Sequence, residues 1–478
     1  MAASFRSDPA PFLPTQTAIK KRIPAPWARL RRDNIDTRQV EPGSRVYNSL
    51  SSTAPDDVKT TRKALATFQA LDPIRLLRVI IAPGFSGVHT MKKGEIYIFG
   101  FRGFPDVQGG IETHVENLAP QLAQMGHRVT ACVRSPYVDK QHKEWRGVRL
   151  LRLWTVRNAY FETLLHSLIC ALVAGVRRPD VVHIHGIGPA LVVPLLRMFG
   201  LRVIVTHHGE DYNREKWGWA ARTLLRLGEA LGMRFAHQRI VISRSIEKVV
   251  TGKYGKSCEV IPNGVVFADP PREADKVVEL GLEPGRYVLT VGRLVPEKRQ
   301  LDLLRAFNDA RLSGWKLAIV GRIDHKNRYA DHLASEAALA KDVVMAGFQT
   351  GTSLRQLYAH AGLFVLPSSH EGLPIALLEA LSYGLPVLVS DIPSNMEVVS
   401  DTNRVFRMGS IAELSTKIRG LSATNLNASG REAVRLSCAR RYNWAEIAQK
   451  TSAAYDELVN SKSGIVVPRL NSNPRYKT

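Results

Sequence analysis

From Glu95 onward the chain alternates between short apolar runs and longer stretches in which apolar residues recur at helical spacing. Ile96-Tyr97-Ile98-Phe99 is the first run. A glycine-bearing loop follows, and then residues 112–125, where Val115, Leu118, Leu122 and Met125 share one helical face. Gly126 stops that helix, and residues 128–133 read as the next strand. The pattern repeats with strands at 180–185, 202–206, 239–242 and 259–261, and with a helix over 190–199 ended by Gly200. A second series begins after Pro270-Pro271, with strands at 287–291, 316–320, 343–345, 363–366 and 386–389. Short apolar strands separated by helices predict parallel sheets covered on both faces. The expected fold is therefore α/β, with two doubly wound domains over 94–270 and 271–442. Ligands of such sheets bind beyond the carboxyl ends of the strands, so two domains facing each other place the site in the cleft between them.

The first 93 residues differ in texture. Rich in Pro, Arg, Ser and Thr, they show no sustained periodicity, and the weak amphipathic stretch over 62–82 is interrupted by Pro73. They are expected to form a disordered basic leader, with the functional chain starting at Met91; residues 461–478 are expected to be a flexible tail. The net charge of the whole chain is +23, of which +9 falls in residues 1–93. Such a surplus favours contact with a polyanion: a nucleic acid, an anionic lipid surface or a phosphate-bearing substrate. No helix-turn-helix, RNP or zinc-finger signature supports nucleic acid. The four cysteines are scattered with no C-x-x-C pair, which suits a reducing compartment. The longest clean apolar run, 168–176, is too short to span a bilayer, and no secretory h-region opens the chain. A cytoplasmic location is expected. A helix over 159–176 followed by Arg177-Arg178, and basic loops with Lys140, Lys143, Arg146, Arg149 and Arg152, are candidates for peripheral attachment to an anionic membrane.

Candidate chemistry clusters in loops that follow strands. After the strand at 363–366 comes His370-Glu371-Gly372-Leu373-Pro374, with Pro374 at the start of a helix that carries Glu379 and stops at Gly384. Backbone N–H groups near Gly372 and Leu373 would favour an anion, while Glu371 and Glu379 are suited to accept hydrogen bonds from hydroxyls. The plainer alternative is one solvated carboxylate and one that supports the helix dipole. Val291-Gly292-Arg293 with Lys298 also leaves a strand end directly, and two fixed cations there can hold a diphosphate without a metal. Gly109-Gly110 in the first strand–helix loop lets a ligand approach the backbone. The segment is not the G-x-G-x-x-G fingerprint, which disfavours a nicotinamide or flavin enzyme. His207-His208 beside Glu210 and Asp211, with His183 and His185, invites a metal reading. A strand histidine is more often a packed or hydrogen-bonded residue, and no metal is expected.

In order and spacing these pieces resemble the retaining glycosyltransferases of family 4, which have the GT-B architecture of two facing Rossmann-like domains. The matching residues are Gly109-Gly110-Ile111-Glu112, Ile261-Pro-Asn-Gly-Val265, Val291-Gly-Arg-Leu294 with Lys298, Pro367-Ser368, Glu371 and Glu379, and Gly384-x-Pro-Val387. The region from Thr206 to Glu229, with Lys216-Trp217, is more specifically similar to bacterial members that extend surface polysaccharides. The resemblance implies a nucleoside-diphosphate-sugar donor and, as acceptor, a polyprenyl-diphosphate-linked saccharide at the inner membrane face. It implies that Arg293 and Lys298 neutralise the diphosphate and that Glu379 holds the ribose. Glu371, Gly372 and Leu373 would hold the transferred sugar, with Gly292 at the turn. Gly109 and Gly110 would lie against phosphates or acceptor. His208 matches the first-domain histidine near the reacting sugar, with His207 as its rival. Trp444 matches the start of a last helix, 443–460, that crosses back to the first domain. The chain has no Asp-x-Asp, so metal-independent transfer is implied. A sugar-nucleotide epimerase of the same architecture and a basic nucleic-acid-binding protein remain as alternatives.

Overall fold

The computed structural model describes residues 93–156, 161–213, 218–323, 328–423 and 427–460. The expected leader, the start at Met91, Lys216-Trp217 and the tail after 460 lie outside them.

Fourteen described strands form two sheets. The first contains β1 (Glu95–Phe99), β2 (Arg128–Arg134), β3 (Glu144–Trp145), β4 (Val148–Leu153), β5 (Val181–His185), β6 (Val203–His207), β7 (Gln238–Val241) and β8 (Glu259–Val260). Their spatial order is β3-β4-β2-β1-β5-β6-β7-β8, and only the two-residue β3 runs antiparallel. The second sheet is parallel throughout: β9 (Tyr287–Val291), β10 (Lys316–Val320), β11 (Val343–Gly347), β12 (Leu363–Leu366), β13 (Val387–Ser390) and β14 (Val405–Phe406), ordered β11-β10-β9-β12-β13-β14. The β1, β5 and β6 strands are buried almost throughout, as strands covered on both faces must be.

The first sheet carries α1 (Gly110–Gln124), α2 (Phe161–Arg177), α3 (Val193–Met198), α4 (Trp219–Phe235) and α5 (Arg244–Tyr254). After α6 (Asp275–Glu279), the second carries α7 (Gln300–Ala310), α8 (Arg328–Leu339), α9 (Gly351–Ala359), α10 (Ile375–Ser382), α11 (Pro393–Val398) and α12 (Ile411–Ser422), with α13 (Ala428–Arg441) packed on α10. The last helix, α14 (Trp444–Asn460), returns to the first sheet. There Trp444, Ile447, Ala448, Ala454 and Tyr455 join a core built by β1, β2 and the apolar face of α1.

Two expectations change. The helix over 190–199 is a 3-10 turn, Pro189–Val192, followed by the six-residue α3. Pro194, near the start of α3, has no N–H to bond back into the preceding turn, so the two pieces do not merge. The supposed basic loops at 140–152 include β4, which pairs with β2. On that strand Arg152 is turned inward, donating to the carbonyls of Val138 at 2.7 Å and Ser135 at 2.9 Å, so it is not a free surface cation. Lys140, Lys143, Arg146 and Arg149 are exposed.

Candidate active site

The loops leaving the carboxyl ends of the two sheets meet. Gly372, just beyond β12, lies against His208, just beyond β6, so closely that a Cβ built on Gly372 would stand 2.0 Å from the His208 carbonyl oxygen. Only glycine permits that approach. Two further contacts hold the sheets together. Asn263 Nδ2 donates to the Leu373 carbonyl at 2.7 Å. The Glu397 carboxylate of α11 accepts from the backbone N–H groups of Arg244 and Ser245, at 2.9 and 3.3 Å. Those groups open α5, so a carboxylate from the second sheet caps a helix of the first.

On the second sheet, Gly292 follows β9 and the aliphatic chain of Lys298 packs over it, its Cε 3.5 Å from where a Cβ would sit. This directs Lys298 Nζ onto Glu371 Oε1 at 2.5 Å; both side chains are largely shielded from solvent. Arg293 stands half-buried at the same strand end. Glu379, in the middle of α10, accepts a hydrogen bond from Tyr358 Oη at 2.8 Å. Burial pushes its carboxyl up from 4.5 to about 7, against the lowering effect of Tyr358. An unfolded chain would release this proton near 4.5, whereas the folded chain holds it to about 7. The group's contribution to stability therefore falls as pH rises through that window, by an amount on the order of 3 kcal/mol. Glu379→Gln, which stays neutral, should gain in melting temperature over the parent as pH is raised from about 5 to 8. An unchanged difference between the two proteins across that range would refute this.

On the first sheet, Gly109 has φ +154°, and a Cβ there would lie 1.9 Å from Glu112 Oε2, so the position must be glycine. Glu112 is held by Arg102 Nε at 3.1 Å. Gly110 has no steric constraint of this kind: nothing lies within 4 Å of its absent Cβ, which leaves room over the start of α1. The two adjacent histidines separate clearly. His207 is fully buried with Nε2 2.9 Å from Glu229 Oε1, and its Nδ1 accepts from the Gly209 N–H at 3.1 Å. His208 is half-buried beside Gly372, with Nε2 2.9 Å from His185 Nδ1.

The sequence reading missed the surroundings of His208. His114, from the cleft end of α1, packs edge-on against it with ring centroids 5.0 Å apart, and Asn263 Oδ1 lies 2.9 Å from His114 Nδ1. His183 sits beneath, its ring tilted against that of His185 with centroids 4.2 Å apart, and with Thr206 Oγ1 and Tyr455 Oη each 2.7 Å from its ring nitrogens. The last helix thus anchors the base of a histidine cluster through Tyr455. Burial lowers the pKa of His114 to about 4 and of His183 to about 3, and holds His185 and His208 well below the ordinary value, so all four rings are neutral at pH 7. The available signal was His114 itself, two residues beyond the Gly-Gly-x-Glu motif.

Two parallel sheets meeting at their carboxyl edges, with cations and carboxylates on one side and a histidine cluster on the other, define the class: an α/β enzyme of GT-B architecture. The comparisons narrow it. Residues 108–268 match the Glycosyltransferase Family 4 model and residues 271–431 the model for Glycosyl transferases group 1, together about two thirds of the chain. The GDP-mannose:cellobiosyl-diphosphopolyprenol alpha-mannosyltransferase of Xanthomonas campestris is 26% identical over 334 residues, 64% of this chain and 80% of that protein. Among solved structures, sucrose-phosphate synthase from Thermosynechococcus elongatus has a TM-score of 0.64 at 22% identity, covering 77% of this chain and all of that one. The Anabaena protein HepE in complex with UDP-glucose has a TM-score of 0.63 at 18% identity, covering 76% and 100%. The chain belongs to the family 4 glycosyltransferases and is a glycosyltransferase; the epimerase and nucleic-acid readings fall away. No helix among the described residues is long and apolar enough to cross a membrane.

Proposed function

We propose that this chain is a retaining, metal-independent glycosyltransferase that moves a sugar from a nucleoside-diphosphate donor to a hydroxyl of a polyprenyl-diphosphate-linked saccharide in surface-polysaccharide synthesis. The observation that carries the reading is the Lys298–Glu371 pair at the ends of β9 and β12, facing His208 across the Gly372 contact. The donor diphosphate sits against Lys298 and Arg293, with Gly292 keeping the turn tight enough for both. Glu371 and the backbone of Gly372 and Leu373 accept and donate to the sugar hydroxyls, and His208 bonds the sugar from the opposite side. Glu379 holds the ribose, and the open space at Gly110, beside Gly109, admits phosphate or acceptor. As the bond from the anomeric carbon to the diphosphate breaks, the leaving phosphate oxygen takes the acceptor's hydroxyl proton, and the new glycosidic bond forms on the same face. Negative charge growing on the diphosphate is met by Lys298 and Arg293, fixed before the reaction begins.

The lipid-linked acceptor is supported by the mannosyltransferase relative, whose name includes a diphosphopolyprenol, and by the surface of the first domain. The exposed side of α2 is a stripe of Phe161, Leu168, Leu172 and Val176 that ends in Arg177 and Arg178. Helix α4 exposes Trp219, Leu224, Leu227 and Phe235 together with Arg226 and Arg234. Both helices pack against the 189–198 segment and so border one surface. The acidic residues of the two helices, Glu162 and Glu229, are buried in pairs with Arg134 and His207. Exposed apolar groups with arginines, and no exposed acid on either helix, suit the anionic inner leaflet of the cell membrane.

One assay tests the whole reading: vesicles of anionic lipid carrying a polyprenyl-diphosphate saccharide, supplied with a panel of nucleotide sugars. A single donor should give a lipid-linked product with the donor's anomeric configuration by NMR, with undiminished turnover in chelator, and high salt should release the enzyme from the vesicles. An inverted product, or turnover that vanishes in chelator and returns with manganese, would refute it.

A further inference from the structure

We infer that His114, His185 and His208 form a capture site for a zinc-class transition-metal ion, and that an ion held there inhibits the enzyme by withdrawing His208 from the sugar. The three residues come from separate elements: α1, the last position of β5, and the loop after β6. Each brings a ring nitrogen within 4.8 Å of the other two. The ring centroids are 5.0 Å apart for His114 and His208, 5.2 Å for His185 and His208, and 5.4 Å for His114 and His185. The triangle is nearly equilateral. An ion with nitrogen ligands at 2.0–2.1 Å has each imidazole centre about 3.2 Å away, and tetrahedral angles then separate those centres by roughly 5.2 Å. The rings therefore already stand at the spacing of a three-histidine site, and the fourth position is left for water or a substrate oxygen.

The protonation states fit as well. His185 Nε2 is buried without a hydrogen-bond partner, while its Nδ1 shares a proton with His208 Nε2. His114 Nδ1 lies against Asn263 Oδ1, the arrangement in which a carbonyl oxygen takes the N–H of one ring nitrogen and leaves the other free to ligate. If His185 keeps its proton on Nε2 and His208 moves its own to Nδ1, three bare nitrogens face one point. Each ring then keeps one N–H on the nitrogen that faces away from the ion. Borderline ions that accept three imidazoles, Zn²⁺ and Co²⁺ among them, fit this donor set; Mg²⁺ and Ca²⁺, which demand oxygen, do not. His183 is outside the site because both of its nitrogens are engaged. The ion has no part in the transfer reaction itself.

The test uses the full-length chain without donor or acceptor, so its outcome is independent of which sugar is moved. After stripping with chelator, the protein is equilibrated with Zn²⁺ or Co²⁺, passed through a desalting column and assayed for metal. One ion per chain is expected, falling at least tenfold in His114→Gln and in His208→Gln. The Co²⁺ form of the wild-type protein should show the intense visible absorption of a tetrahedral ion, which keeps the test decisive if a variant fails to fold. Binding below one tenth of an ion per chain overturns the proposal. So does a stoichiometry unmoved in either folded variant, or a weak octahedral cobalt spectrum.

Discussion

Lys298→Ala should lower turnover at saturating donor about a hundredfold while leaving the fold intact. In the proposed reaction, charge accumulates on the departing diphosphate, and a fixed ammonium group aimed at it contributes roughly 3 kcal/mol to the transition state. The same loss is expected for Arg293→Ala, because both cations stand at the end of β9. Lys298 carries a second consequence. Its Nζ lies 2.5 Å from Glu371 Oε1, so its removal takes this ammonium group away from a carboxylate beside the incoming phosphates. Repulsion should therefore raise the donor KM in Lys298→Ala more than in Arg293→Ala. The double variant Lys298→Ala/Glu371→Gln should recover part of that KM and none of the kcat. Steady-state kinetics with melting curves on all three proteins decide it. Near-full turnover in either single variant would remove these residues from the proposed chemistry.

Gly372→Ala should be as damaging, for a different reason. The added methyl would meet the His208 carbonyl at 2.0 Å and Ile242 Cδ1 at 3.2 Å, and the first of these is backbone belonging to the opposite sheet. It cannot rotate away, so the sheets must separate. The Asn263–Leu373 bond and the Glu397 cap of α5 are then stretched with them. Displacement of reacting groups by about 1 Å costs on the order of a hundredfold in rate. One buried cluster spans both sheets, but each sheet also has a second core cluster of its own, so donor binding and secondary structure should persist. Small-angle scattering should report a larger radius of gyration, and turnover should fall a hundredfold or more. Wild-type turnover in this variant would mean that the contact is not part of the working state.

The second sheet was legible nearly residue by residue. Tyr287–Val291, Lys316–Val320 and Leu363–Leu366 coincide with the apolar runs because glycine, proline or charge bounds each one. The short strands β3, β8 and β14 are two residues long and carry little pattern of their own; of these, only the position of β8 was anticipated. Pro194 divided what periodicity read as a single helix. At the site, strand-end residues such as Gly292, Lys298 and Glu371 could be found because they directly follow apolar runs. The histidine cluster could not. Its members lie at positions 114, 183, 185 and 208, and only the parallel register of β5 beside β6, which sets His183 opposite Ile204 and His185 opposite Thr206, brings them together. His114 further needed the turn of α1 that faces the cleft, a position that apolar spacing marks only as polar.

The return of α14 to the first sheet sets an order of events during synthesis. Strand β8 closes that sheet in sequence at Val260, yet the face formed by β1, β2 and α1 waits for Trp444 and Tyr455. At the usual pace of a ribosome, the roughly 200 residues between correspond to about 10–40 s. Through that interval a nascent chain exposes an apolar sheet face, and His183 lacks the tyrosine hydroxyl that sits on it in the finished enzyme. The second domain can complete itself first. The first half of the molecule to be made is thus the last to mature, and chaperone occupancy on the nascent chain should persist until the final helix has emerged.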